Sequence, residues 1–118
     1  MADDERLICA SAALENSGKA QRFEVEYFGE RAPAFVLRFE GRVYGYLNRC
    51  SHVPMELDWR EGEFFDSGGR DLICSTHGAT YAAGSGKCLG GPCGRTPLVS
   101  LQVRERDGAV YFKGFDDD

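Results

Sequence analysis

The chain has 118 residues, of which 42% are apolar and 28% charged, a composition typical of one globular domain that leaves no room for a second, catalytic one. Its formal charge of −5 resides at the two ends, in residues 3–5 and 116–118, and the nearly neutral body shows no basic cluster suited to nucleic acid. No apolar run reaches the roughly 18 residues of a membrane span, and the acidic start lacks the basic residues of a secretory signal. We therefore expect one cytoplasmic domain over residues 1–118, without a membrane or nucleic-acid partner.

Apolar residues recur with a period of two in short segments separated by glycine, aspartate or asparagine, which predicts strands and an all-β fold. In chain order, the predicted strands are 22–28, 34–39, 43–48, 71–75, 98–105 and 109–115. Two of the intervening dipeptides, Glu40–Gly41 and Asp107–Gly108, predict tight hairpin turns. One helical turn is expected near 11–16, and the glycine- and proline-rich segment 84–97 is expected to be a loop.

Both histidines of the chain lie close to a cysteine, and each pair directly follows an apolar segment. The first pair is Cys50 and His52 in the segment CSH, and the second is Cys74 and His77 in the segment CSTHG. A thiolate and an imidazole from one tight loop can bind the same ion with little loss of chain entropy. Two such pairs therefore indicate a metal centre, in preference to core histidines that merely adjoin buried thiols.

Two cysteines and two histidines would satisfy a tetrahedral zinc site, but zinc ribbons and fingers draw their ligands from short motifs in a minimal fold. Here a whole β domain surrounds the ligands. The segments CSH and CSTHG, Tyr81 four residues beyond the second histidine, and the later glycine–proline loop resemble the two boxes and the proline loop of Rieske iron–sulfur proteins. This resemblance covers about residues 43–103. It implies a Rieske-like antiparallel β-sandwich with a small cluster-binding subdomain at about 48–97, formed by two loop tips and the proline loop.

The resemblance further implies one [2Fe–2S] cluster, with Cys50 and Cys74 on one iron and His52 and His77 on the other. Because only two thiolates bind it, the oxidised centre is neutral, which raises its potential into the range of about −150 to +300 mV. Ala79 occupies the position of a serine that donates to a sulfide in high-potential respiratory members, so we expect the lower half of that range. The 21 residues between His52 and Cys74 exceed the usual number and predict a lengthened hairpin.

The other three cysteines have no place in this ligand set. Cys9 alternates with apolar residues and is interpreted as a small buried side chain. Cys88 and Cys93 flank the glycines of the proline loop, where a disulfide can be formed. A reducing cytoplasm favours thiols at both positions.

The favoured function is electron transfer without catalysis by the chain itself. Rieske oxygenases add a mononuclear iron site that needs two further histidines and a carboxylate, and both histidines here are already assigned. The resemblance implies a Rieske-type ferredoxin that carries one electron from a flavoprotein reductase to a terminal oxygenase or another redox protein. Docking is expected through the histidine tip and the acidic segment 56–66, which holds five acids and one base.

Two alternatives stay open on the sequence alone. One is a small Rieske-like subunit of a larger oxidoreductase such as assimilatory nitrite reductase, which would form a stable complex. The other is a structural zinc-binding interaction module, which would be colourless and redox-silent.

Overall fold

The computed structural model describes residues 6–27, 29–49, 62–65, 69–74, 79–90 and 97–115. The described strands are β1 (Arg6–Ala10), β2 (Gln21–Tyr27), β3 (Glu30–Phe39), β4 (Arg42–Leu47), β5 (Asp71–Ile73), β6 (Thr80–Ala82), β7 (Cys88–Gly90), β8 (Ser100–Arg106) and β9 (Ala109–Phe115). They form a six-stranded sheet in the order β1-β9-β8-β4-β3-β2 and a three-stranded sheet in the order β5-β6-β7, with every pair of neighbours antiparallel. The predicted all-β class is confirmed. Within the described residues, no helix has the length and apolar character needed to cross a membrane.

Both predicted hairpin turns are present and have the backbone that their sequences favour. Glu40 and Gly41 have φ angles of 51° and 84°, and Asp107 and Gly108 have φ angles of 52° and 78°. Positive φ at both central residues is the mark of a type I′ turn, whose twist matches that of the flanking strands. These two dipeptides therefore fix the register of β3 with β4 and of β8 with β9.

Two expectations need correction. The segment 84–97 is not a loop throughout, because residues 88–90 form strand β7 and pair with β6. Pairing of an edge strand uses backbone groups alone, which glycine supplies as well as any other residue. The helical turn near 11–16 is a 3₁₀ turn confined to Ser11–Ala13.

The long strand β3 is buried on both faces and so divides the hydrophobic core. Phe35 and Leu37 pack into the cluster that includes the three-stranded sheet. Val36, one position away, faces the interior of the six-stranded sheet. That larger sheet coils until its edges meet, where the Arg6 guanidinium donates to the Glu24 carbonyl oxygen.

Arg38, near the end of β3, connects that strand with the segment of the 3₁₀ turn and with β8. Its Nε donates to the Leu14 carbonyl oxygen at 3.0 Å, and its Nη2 donates to the Ser11 carbonyl oxygen at 3.2 Å. Nη1 and Nη2 also donate to the two carboxylate oxygens of Glu105 on β8, at 3.1 and 2.5 Å. This two-point geometry is the strong form of an arginine–carboxylate pair. It holds the 3₁₀ turn against the sheet.

We predict that Glu105→Gln weakens folding in a pH-dependent manner. The hydrogen bond from Arg38 lowers the pKa of Glu105, so the pair stabilises the fold above the unfolded-state pKa of about 4.3 and loses this effect as the pH falls through the folded-state value. At pH 7 the variant should lose about 1 kcal/mol of unfolding free energy, and the difference from wild type should shrink below about pH 4.

Urea denaturation at several pH values measures this difference. Glu24→Gln is the matched control, because the Glu24–Arg31 pair at 3.4 Å has side chains that are 61% and 80% exposed and so contributes little. Equal effects of the two substitutions would contradict the prediction.

Candidate metal centre

The second predicted ligand loop starts from a hydrogen-bonded base in the three-stranded sheet. Cys74 directly follows β5, and Ala79 directly precedes β6. The Cys74 N–H donates to the Ala79 carbonyl oxygen at 2.8 Å, one step beyond the ladder pair of Ile73 and Thr80. Residues 75–78, which include His77, therefore connect two ends that the sheet holds together.

Cys74 is the one predicted ligand that lies among the described residues. It carries a free thiol and is only 1% exposed. Its core cluster includes Leu72, Ala79 and Tyr81, each fully buried. A buried cysteine sulfur in an apolar setting, at the mouth of a loop that holds a histidine, is a donor suited to a soft metal ion shielded from water. In this respect the site fits an iron–sulfur centre.

The first ligand loop leaves the end of β4, which is anchored on both sides. The Leu47 N–H donates to the Val99 carbonyl oxygen at 3.0 Å, and the Asn48 N–H donates to the Pro33 carbonyl oxygen at 2.9 Å. Asn48 is 1% exposed, and it is the sole buried polar residue in the described part of the chain. Cys50 follows two positions later. Its loop therefore departs from a backbone fixed by neighbouring segments.

Cys50, His52 and His77 lie outside the described residues. Of the predicted ligands, only Cys74 has a described environment. The two chain segments that lead into the loops are both described, and both are anchored. The ligand set of Cys50, His52, Cys74 and His77 thus stays a prediction.

Tyr46, one residue before the end of β4, connects the two sheets. Its ring is buried, and its hydroxyl donates to the Ala83 carbonyl oxygen at 2.7 Å. Burial raises the pKa of Tyr46 far above its ordinary value, so the hydroxyl keeps its proton and stays a donor. Gly86 permits this packing, since a Cβ at that position would lie 2.9 Å from the Tyr46 Cε1, and its φ is +75°. The Leu98 N–H closes the contact by donating to the Gly86 carbonyl oxygen at 2.9 Å.

The described parts of the long segment between His52 and Cys74 pack on the larger sheet. Phe65 and Leu72 form an antiparallel bridge, as a lengthened hairpin requires. The Phe64 ring stacks on Phe35 with centroids 3.8 Å apart. The Ala20 N–H donates to the Gly62 carbonyl oxygen at 2.8 Å. Phe64 is therefore a packing residue of the core.

The expectation of a free thiol at Cys88 is wrong. Cys88 is disulfide-bonded, whereas Cys9 and Cys74 are free. The partner cysteine lies outside the described residues. The expectation rested on where disulfides persist in a cell, and that argument carries no information about which cysteines the fold brings within bonding distance.

We predict that Tyr46→Phe lowers the unfolding free energy by about 1–2 kcal/mol, because it leaves the buried Ala83 carbonyl without its donor. Denaturant titration of the variant and the wild type measures the loss. Tyr44→Phe is the matched control, since that ring lies two positions away on β4 and has no hydrogen bond from its hydroxyl in the described structure. Equal stabilities of the two variants would show that the hydroxyl of Tyr46 does not hold the sheets together.

A family model described as the Rieske [2Fe–2S] domain matches residues 5–105. No sequence among curated proteins matches the chain significantly.

Similar solved structures include a ferredoxin, a ferredoxin–oxygenase complex and a longer terminal oxygenase. The ferredoxin of carbazole 1,9a-dioxygenase from Nocardioides aromaticivorans IC177 has a TM-score of 0.73 at 21% identity, with 93% of this chain and 97% of that chain covered. A chain in a complex of reduced oxygenase and oxidised ferredoxin of carbazole 1,9a-dioxygenase has a TM-score of 0.73 at 24% identity. The match covers 96% of this chain and 95% of that chain. The terminal oxygenase of carbazole 1,9a-dioxygenase from Novosphingobium sp. KA1 has a TM-score of 0.68 at 23% identity. The match covers 97% of this chain but only 30% of that chain.

These structural matches confirm the Rieske-type fold, and the family match extends over most of the chain, including all four predicted ligands. A Rieske domain implies a [2Fe–2S] cluster as its cofactor. The chain belongs to the Rieske [2Fe–2S] domain family.

Proposed function

We propose that this protein is a one-electron carrier, a Rieske-type ferredoxin that accepts an electron from a flavoprotein reductase and delivers it to a terminal oxygenase. The observation that carries the proposal is the nearly complete mutual coverage with the ferredoxin of a carbazole dioxygenase, 93% of this chain and 97% of that one. The terminal oxygenase is matched over only 30% of its length. The two histidines of this chain cannot supply both a Rieske centre and a mononuclear iron site.

We propose that Cys50, His52, Cys74 and His77 hold the cluster, within a cluster-binding subdomain at about 48–97. When bound, the cluster supplies a one-electron redox couple. Cys74 supports this assignment, because its free thiol is buried at the base of the loop that contains His77. The anchored end of β4 supports it for the loop that contains Cys50 and His52.

The described surroundings also bear on the potential. Ala79 has no hydroxyl to donate, and the core around Cys74 keeps water from its sulfur. Hydrogen-bond donors near a cluster stabilise its electron-rich reduced form, so a cluster with fewer donors has a lower potential. We therefore place the potential in the lower half of the range for Rieske centres.

We predict that His77→Cys lowers the midpoint potential by about 100 mV or more, because a third thiolate adds negative charge to the centre. A spectroelectrochemical titration of the purified holoprotein measures the shift. Cys9→Ser is the control, since Cys9 belongs to the separate core cluster that contains Val36 and Val110. An unchanged potential in His77→Cys would show that His77 does not bind the cluster.

We predict that the reduced protein passes its electron directly to a Rieske-type terminal oxygenase. Stopped-flow mixing with the oxidised oxygenase component of carbazole 1,9a-dioxygenase should reoxidise the carrier at a rate proportional to oxygenase concentration. The rate should change with salt concentration, because salt screens the charges that attract two proteins across a small transient interface. A carrier that stays reduced in the presence of the oxygenase would contradict the proposed function.

A further inference from the structure

Leu7 and Leu89 are the large apolar side chains most exposed in the described part of the chain, at 61% and 55%. Single exposed leucines are ordinary on protein surfaces and require no function. The two differ in their place in the fold. Leu7 lies on β1, three strands from β4 at the edge of the larger sheet, whereas Leu89 lies on β7 in the sheet that carries Cys74.

Leu89 is the extra residue of a β-bulge. Tyr81 pairs with Cys88 and Thr80 pairs with Gly90, so Leu89 has no position opposite it on β6. Strand β7 is also the edge of the three-stranded sheet as far as that sheet is described. A bulge on an edge strand locally disrupts the ladder and redirects a side chain, and such bulges are frequent beside functional sites.

The bulge lies close to the second ligand loop. Thr80 follows His77 by three residues, and its ladder partner Gly90 lies about 5 Å across on β7. Leu89 is the next residue along that strand. The exposed leucine is therefore one strand away from the chain that leaves the loop of His77.

The described chain next to Leu89 carries little charge. Lys87 is the only charged residue immediately beside β7 in the described chain, and Gly90 is exposed with open space where a Cβ would stand. A partner's surface can therefore approach the strand closely. An apolar contact is also insensitive to salt, unlike the charged contacts of a transient interface.

We propose that Leu89 is an apolar anchor of the surface with which this protein docks on its electron acceptor, the terminal oxygenase. This inference rests on the proposed function. The occupant is a terminal oxygenase, and solved structures similar to this chain include a complex of oxygenase and ferredoxin of carbazole 1,9a-dioxygenase. In the docked complex one electron leaves the reduced carrier and reduces the oxygenase by one equivalent.

The experiment compares Leu89→Ser with Leu7→Ser and with the conservative variant Leu89→Met. Each reduced holoprotein is mixed with the oxidised oxygenase component of carbazole 1,9a-dioxygenase, and separately with hexacyanoferrate(III), a small acceptor that needs no apolar anchor. Midpoint potentials and sedimentation are measured on the same samples. We expect Leu89→Ser to lower the second-order rate with the oxygenase about tenfold, within the range found for interface anchors. The rate with hexacyanoferrate(III) and the potential should not change, and Leu7→Ser and Leu89→Met should behave as wild type.

Four outcomes would overturn the inference. If the wild type reduces the oxygenase and Leu89→Ser does so equally fast, the anchor is absent while the proposed function stands. If Leu89→Ser also shifts the potential or slows hexacyanoferrate(III), its role is structural. If the wild type sediments as a dimer that Leu89→Ser dissociates, the occupant is a second copy of the chain. If the wild type does not reduce the oxygenase at all, the proposed function and the inference fail together.

Discussion

The buried contact between Tyr46 and the turn at Ala83–Gly86 joins the two sheets of this protein. Tyr46 belongs to β4, whose end leads into the loop of Cys50 and His52, and its hydroxyl donates to a carbonyl just beyond β6. The strand β6 in turn receives the chain from the loop of Cys74 and His77. One buried hydrogen bond, with a glycine that permits close packing, therefore positions β4, which leads into the first ligand loop, relative to β6, which the chain enters after the second.

The two sheets have different structural roles. In the six-stranded sheet, Arg6 joins the two edge strands, and the pair of Arg38 and Glu105 joins β3 to β8. The three-stranded sheet shares its core with β3 and β4, because Leu72 and Tyr81 pack in one cluster with Phe35, Leu37 and Tyr46. A redox centre benefits from such support, because ligands held by fixed strand ends need little rearrangement when an electron arrives.

Much of the fold could be predicted from the sequence, because strands and turns leave patterns in residues that are close together along the chain. Period-two alternation identified the long strands, and Glu40–Gly41 and Asp107–Gly108 identified their turns through the backbone that these residues adopt. The strand β7 could not be found in this way. Three residues of an edge strand are fixed by backbone pairing with β6, and their side chains carry no alternating pattern.

The site shows the same limit. Spacing and residue type predicted a metal centre with four ligands, because thiolates and imidazoles have few other uses in such pairs, and the Rieske domain came from the resemblance of the CSH and CSTHG segments and the proline loop to that family. The roles of Tyr46 and Leu89 depend on long-range packing and on a register shift, which the sequence does not display. The disulfide at Cys88 likewise depends on which segments of the chain the fold brings together.

Electron paramagnetic resonance of the dithionite-reduced protein, with iron, sulfide and zinc determined on the same sample, decides whether this chain holds a Rieske cluster. Two thiolates and two imidazoles around a [2Fe–2S] centre predict a signal whose average g-value lies below that of four-cysteine clusters, with iron and sulfide in equal amounts. A silent spectrum from protein that contains stoichiometric zinc would contradict the account.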